Sequence, residues 1–222
     1  MKRFSPRLDV LPAAQTALWP ELACVPQRFV LYGGTALALR LGHRQSIDFD
    51  FFSNAPFDHQ ALEAGIPWLR SATTLQEEPN TRTVLVHTPH GPVKVSFFGT
   101  IAFGRVGEPE ETDDGVLRVA SLLDLAGTKV KALLQRIESK DYLDVAALLE
   151  AGVPIEQILG AARALFGSSF NPLIAQKTLS FFEGGDLATL SESTRSLLVA
   201  HATRDVEVVP LPILATRLEP TG

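Results

Sequence analysis

The chain has 222 residues, 45% hydrophobic and 20% charged, with 13 Phe, 16 Gly and 15 Pro. That is enough chain for one large or two small cored domains, and it excludes wholly disordered, collagen-like and coiled-coil classes. The net charge of −5 excludes a protein that wraps nucleic acid non-specifically, because such binders draw most of their affinity from neutralising phosphates.

In chain order, Ser5-Pro6 to about Leu22 predicts a helix, with Ser5 as N-cap and Pro6 at the first helical position. Phe29-Val30-Leu31-Tyr32 is a short apolar run stopped by Gly33-Gly34, the pattern of a buried strand, and Thr35 to Leu41 follows as helix. Ser46 to Phe52 alternates, with Ile47, Phe49 and Phe51 on one face and Asp48 and Asp50 on the other, so a strand is expected. Asp58 to Leu69 reads as helix. Thr81 to His87 and Val93 to Phe98 flank Pro89-His90-Gly91-Pro92, a hairpin signal, and Asp113-Asp114-Gly115 marks a second turn before Val116 to Val119.

Composition shifts at Ser121. Beyond it the chain reads as consecutive helices over 121–138, 141–151, 154–166, 171–182 and 191–203, with Ser121 and Asp124 resembling a capping box. The expected organisation is α+β: a mixed sheet flanked by helices over 1–120, a helical bundle over 121–205, and a Pro-containing tail over 206–222. No run of 18 apolar residues and no secretory leader is present, so a cytoplasmic protein with no membrane partner is expected. The single cysteine, Cys24, excludes a disulfide framework and a multi-cysteine zinc site. The five histidines show no metal-ligand spacing.

The chemistry-bearing segment is Gly33-Gly34-Thr35-Ala36-Leu37, followed by Arg40, Arg44 and Ser46-Ile47-Asp48-Phe49-Asp50. Glycines between a strand and a helix let the backbone approach a ligand closely, and a helix N-terminus favours phosphate. Asp48 and Asp50, two residues apart on a strand, project from one face, and their mutual repulsion is relieved by a shared cation. Mg²⁺ fits that role, because it takes oxygen ligands and commonly combines one or two carboxylates with substrate phosphates. Alone, a Gly-Gly is a turn and an Asp-x-Asp is a solvated strand face; order and spacing together point to phosphoryl chemistry.

Gly33-Gly34-Thr35-Ala36-Leu37 through Arg44-x-Ser46-x-Asp48-x-Asp50-Phe51-Phe52 resembles the AbiEii/AbiGii toxin family, within the polymerase-beta-type nucleotidyltransferases. A second match lies at Leu125-Ala126-x-x-Lys129-x-x-Ala132-Leu133-x-x-Arg136 and Lys140-Asp141-Tyr142-x-Asp144, and a weaker one at Leu179-Ser180-Phe181-Phe182. The resemblance implies a nucleotidyltransferase fold and Mg²⁺-dependent transfer of nucleotide from an NTP to an acceptor. That acceptor would be RNA such as the tRNA 3′ end, and the protein a toxin restrained by a neighbouring antitoxin. By motif position Ser46, Asp48, Lys129 and Asp144 correspond to residues the family uses; read with the residue chemistry above, Asp48 and Asp50 are expected to hold Mg²⁺ with the NTP, and Gly33, Gly34, Thr35, Arg44 and Ser46 to bind the nucleotide. Lys129 is expected to neutralise the triphosphate, Arg136 to bind substrate, and Asp144 to act as base or position the acceptor.

On one unbroken helix Lys129 and Asp144 would lie about 22 Å apart. A chain break is therefore expected near Glu138–Lys140, with Ser139 starting a second helix. The position where the wider superfamily carries a third acid is expected at Ser96, a poor Mg²⁺ ligand. A single metal assisted by Lys94 or Lys129 as a fixed cation is the substitute. Two alternatives stay open: transfer of nucleotide to a protein hydroxyl, and a catalytically silent NTP- or partner-binding module.

Overall fold

The computed structural model describes residues 2–220. They fall into two compact units: the chain up to Ser121 together with the segment from Ala215, and Leu122–Leu214. The chain thus crosses between units at 121–122 and again at 214–215, and the stretch expected as one tail is divided between them.

The first unit is built on a mixed sheet of eight strands among the described residues. They are β1 (Arg3–Phe4), β2 (Val30–Tyr32), β3 (Asp48–Phe52), β4 (Thr73–Glu78), β5 (Thr81–Thr88), β6 (Gly91–Phe98), β7 (Glu110–Thr112) and β8 (Arg118–Val119). The spatial order is β1-β7-β8-β2-β3-β6-β5-β4. β3 runs antiparallel to β2 and parallel to β6, with Asp48 opposite Lys94 and Asp50 opposite Ser96. Alternation sends Phe49 and Phe51 into the core at 0% exposure and leaves Asp48, Asp50 and Phe52 on the other face. On the core face Phe51 stacks on Phe97 at 5.3 Å, and Trp19 and Trp68 close over Phe49 and Phe97.

The helices of this unit are α1 (Ala13–Leu18), α2 (Gly33–Leu41) and α3 (His59–Gly65). Asp58 caps α3 by accepting from the Ala61 amide at 2.8 Å. The long helix expected from Ser5 does not form. Pro12 and Pro20 interrupt it, because proline supplies no N–H to the helical ladder, and α1 survives between 3₁₀ turns at Leu8–Val10 and Trp19–Cys24. Ser5 caps nothing there; its hydroxyl donates to Asp113 at 2.6 Å. The helix expected to Leu69 stops at Gly65, before Pro67 opens a 3₁₀ turn. Ile47 precedes β3 rather than joining its buried face, and is 68% exposed.

The second unit contains α4 (Leu122–Ala132), α5 (Ser139–Glu150), α6 (Ile155–Phe166), α7 (Pro172–Thr178) and α8 (Glu192–Ala202). α4 packs on α6, most closely at Gly127, where a Cβ would stand 3.0 Å from the Ala162 nitrogen. Asn171 caps α7, with Pro172 at its first turn, and Ser191 caps α8. α5 starts at Ser139 as expected, but the helix expected to run to 138 ends at Ala132, so the break between Lys129 and Asp144 is wider than a turn at Glu138–Lys140. The first turn of α5 is capped from outside its own sequence: both the Ser139 amide and hydroxyl donate to Asp186 at 2.6 Å.

Candidate active site

The strand-to-helix turn after β2 gathers the predicted groups of the first unit. Gly33 has φ +76°, a left-handed conformation that glycine adopts without steric cost. A Cβ on Gly33 would stand 2.6 Å from Asp50 Oδ2, so the carboxylate of β3 is laid directly against the turn. At Gly34 a Cβ would meet Arg44 Nη2 at 2.6 Å and Ser46 Oγ at 2.8 Å. Both glycines are therefore required by close approach: one seats an acid, the next a guanidinium and a hydroxyl. The first amides of α2, which have no partner within the helix, open at this turn. A guanidinium, a hydroxyl and helix amides around one backbone are a donor set of the kind that suits phosphate.

Thr35 is fully buried and its hydroxyl donates to the Asp48 carbonyl oxygen, tying the start of β3 to the first turn of α2. That bond holds the two carboxylate positions and the glycine turn in one frame. Arg40 anchors the other end of α2: its guanidinium donates to the Ala120 and Val119 carbonyls and to Glu110, and lies 4.4 Å over the Phe4 ring.

Across the β3–β6 pair, Lys94 Nζ lies 3.4 Å from Asp48 Oδ2, with side chains 42% and 33% exposed. At that distance and exposure the pair is loosely held. Opposite Asp50, Ser96 is 2% exposed and its oxygen accepts from the Thr83 hydroxyl at 3.3 Å. The face thus carries two carboxylates, one loosely paired ammonium and the hydroxyls of Ser96 and Thr83. Among the described residues no group of three or more His, Cys, Asp or Glu could hold a metal ion. Two carboxylates on one face do fit a single Mg²⁺ whose remaining positions are filled by phosphate and water. They do not fit a pair of ions bridged by a further acid, because the position beside Asp50 is Ser96.

Lys129, Asp144 and Arg136 lie in the second unit and form a cluster of their own. Lys129 Nζ sits 2.7 Å from Asp144 and 3.2 Å from Asp141, and Arg136 Nε donates to Asp141 at 2.6 Å. Both aspartate side chains are 0% exposed and Lys129 7%, whereas Arg136 is 45% exposed. Asp141 is the member that a reading by motif leaves without a role. Its spacing from Asp144 places it on the same helix face, and that was the available signal.

Burial pushes the Cys24 thiol above its usual range, and its sulfur lies 3.0 Å from the Glu21 carbonyl oxygen. Burial, together with the nearby Arg204, holds His201 below its usual value.

Residues 23–207 match the family model described as nucleotidyl transferase AbiEii toxin of a type IV toxin–antitoxin system. The chain belongs to this family. A curated relative of the AbiEii-family chain, an uncharacterized protein of Aquifex aeolicus (strain VF5), is 35% identical over 119 residues. The match covers 53% of this chain and spans 55%, about half, of that relative's length. A crystal structure of a candidate nucleotidyltransferase from H. pylori is similar in fold, with a TM-score of 0.56 at 18% identity. It covers 85% of this chain and 90% of its own. No helix among the described residues is long and apolar enough to cross a membrane.

Proposed function

We propose that this chain transfers a nucleotide from an NTP to an RNA acceptor, such as the 3′ end of tRNA, in a Mg²⁺-dependent reaction, and that it acts as a cytoplasmic toxin held in check by an antitoxin. The observation that carries the reading is the seating of Asp50 on Gly33, and of Arg44 and Ser46 on Gly34, at the opening of α2. A guanidinium and a hydroxyl close to a carboxylate pair support phosphate and metal binding at this turn. Family membership supports the reaction class.

Asp48 and Asp50 would hold one Mg²⁺, which when bound supplies charge stabilisation to the phosphates of the NTP. Gly33, Gly34, Arg44 and Ser46 orient the triphosphate, with Thr35 holding the frame. Lys94, loosely paired and partly exposed, can leave Asp48 and move onto phosphate oxygen. In the helical unit Lys129 is proposed, from its place in the family motif, as a preset cation for substrate phosphate. Asp144 and Asp141 hold its ammonium still, as a carboxylate holds the phosphate-binding lysine of a protein kinase. Arg136, exposed at one end of that cluster, adds positive charge. In the transfer, an acceptor hydroxyl oxygen bonds to the α-phosphorus and the bond to the bridging oxygen breaks. Pyrophosphate leaves and the hydroxyl proton passes to a carboxylate. The protein's share is positioning and fixed charge.

The purified chain is incubated with α-labelled NTPs and Mg²⁺ in the presence of a tRNA pool or a protein pool. Label in RNA is expected. Label in protein alone would replace RNA with a protein hydroxyl as acceptor, and nucleotide binding with no transfer would reduce the chain to a silent binding module. The Lys94–Asp48 pair and Ser96 are the features that favour that last outcome over other failures.

A further inference from the structure

After leaving the helical unit the chain returns to the first one and docks there in extended form. The Arg105 amide donates to the Ala215 carbonyl at 2.9 Å, and Arg105 Nη1 donates to the Arg217 carbonyl at 2.7 Å. Arg105 is 1% exposed, and its other terminal nitrogen is bound by both Glu108 oxygens at 2.8 and 2.9 Å. Asn54, just past the end of β3, uses every face of its amide. Nδ2 donates to the Ile101 and Phe103 carbonyls at 2.6 and 2.9 Å, and Oδ1 accepts from the Leu218 amide at 2.6 Å. Leu218 is 1% exposed. At Gly104 a Cβ would collide with the Ala215 carbonyl oxygen, so this glycine exists to admit the returning segment.

The contacts continue inward. Phe103 sets its edge on Tyr32 at 5.9 Å and on Phe52 at 6.3 Å, and those two rings stack on each other at 5.0 Å. Tyr32 is the residue before Gly33 and lies opposite Asp50 in the β2–β3 register. Phe52 follows Asp50 on the same strand face. A half-buried Asn with both amide hydrogens and its oxygen bonded, a buried Arg held by a carbonyl and a carboxylate, and a glycine cleared for a passing backbone are more than a loose tail requires.

We propose that Asn54 and the docked segment Ala215–Leu218 are positioning elements for the proposed transfer. They hold the 101–105 loop, and through Phe103 they press Tyr32 and Phe52 so that Asp50 stays seated on Gly33. The role rests on the nucleotidyltransferase reading. It reaches Asp50 rather than Arg44 and Ser46, so undocking should disturb turnover more than nucleotide binding. A displacement of the order of 1 Å at a reacting group can cost about 100-fold.

The test is Gly104→Ala in the full chain, followed by backbone hydrogen exchange and by labelled-NTP transfer. Expected are faster exchange at 215–218 and also at Tyr32–Thr35, with kcat down tenfold or more and KM for the NTP within threefold. Loss of protection at 215–218 with Tyr32–Thr35 and kcat unchanged would overturn the proposal. Should Gly104→Ala unfold the protein, Asn54→Ala, which removes the bonds without adding an atom, is read by the same criteria. If the unsubstituted chain transfers no nucleotide, the functional reading fails on its own account. The exchange at Tyr32–Thr35 then decides whether docking reaches the turn.

Discussion

Two pairs of aspartates sit in this molecule at nearly the same sequence spacing and in opposite physical states. Asp48 and Asp50 on β3 are half-buried, face one loosely held ammonium, and border a glycine turn lined by Arg44 and Ser46. Asp141 and Asp144 on α5 are fully buried, and Lys129 bridges them at 3.2 and 2.7 Å. A part-exposed carboxylate pair keeps a face that solvent, and with it a cation or ligand, can reach. One that is enclosed and bonded has already spent its capacity, and what it can still do is hold its partner in place. This contrast is why the strand pair is proposed to bind ligand and the helix pair to hold Lys129 in place. Sequence motifs alone would have treated the two as equals.

The contrast is broken most severely at its buried end. Lys129→Met leaves two enclosed carboxylates without their cation and should cost about 3–5 kcal/mol of stability. Denaturant unfolding measures it. A loss below about 1 kcal/mol would mean that the helix pair is as open to solvent as the strand pair. At the open end the effects should reverse. Asp50→Asn keeps the shape and removes a half-buried charge on the face opposite the core, the one proposed to meet ligand. Transfer should fall at least about 100-fold, the scale seen when a preorganised charge is removed from a site, with the midpoint of unfolding nearly unmoved. If stability collapses along with activity, Asp50 is a structural acid and the distinction fails.

The smallest expected effect concerns Asp186, a third kind of carboxylate, exposed yet bound to the first turn of α5. The Ser139 hydroxyl and amide hold its carboxyl below the ordinary range. Its folded value lies below its unfolded one, so its contribution is fully present above the unfolded value. The contribution fades as pH falls through the folded value. Asp186→Asn should therefore lower stability near neutral pH and make little difference in strong acid. Parallel melting curves across pH check it, and a constant difference at every pH would remove the charge from the account.

Local patterning was enough for much of this. Alternation through Phe49 and Phe51 declared the buried side of β3 and, with it, that Asp48 and Asp50 share the other. Gly33-Gly34 after an apolar run announced a strand-to-helix turn. The impossibility of spanning 22 Å on one helix announced the α4–α5 break. These are facts about neighbours in the chain, where period and sterics act directly. Strand β4 escaped, because all six of its residues are exposed and their only organisation is pairing with β5, including Glu77 opposite Arg82. The helix expected from Ser5 failed because capping propensity is weak beside two prolines and the pull of Asp113, distant in sequence. Residue types and their spacing thus determined that an acidic strand, a glycine turn and a charged helical motif exist. Only the tertiary structure decided that Asp50 rests on Gly33, that Lys129 is enclosed by Asp141 and Asp144, and that the segment after Leu214 comes back to bind Asn54. Burial and long-range hydrogen bonds depend on which distant groups arrive at the same place. Composition and periodicity carry no record of that.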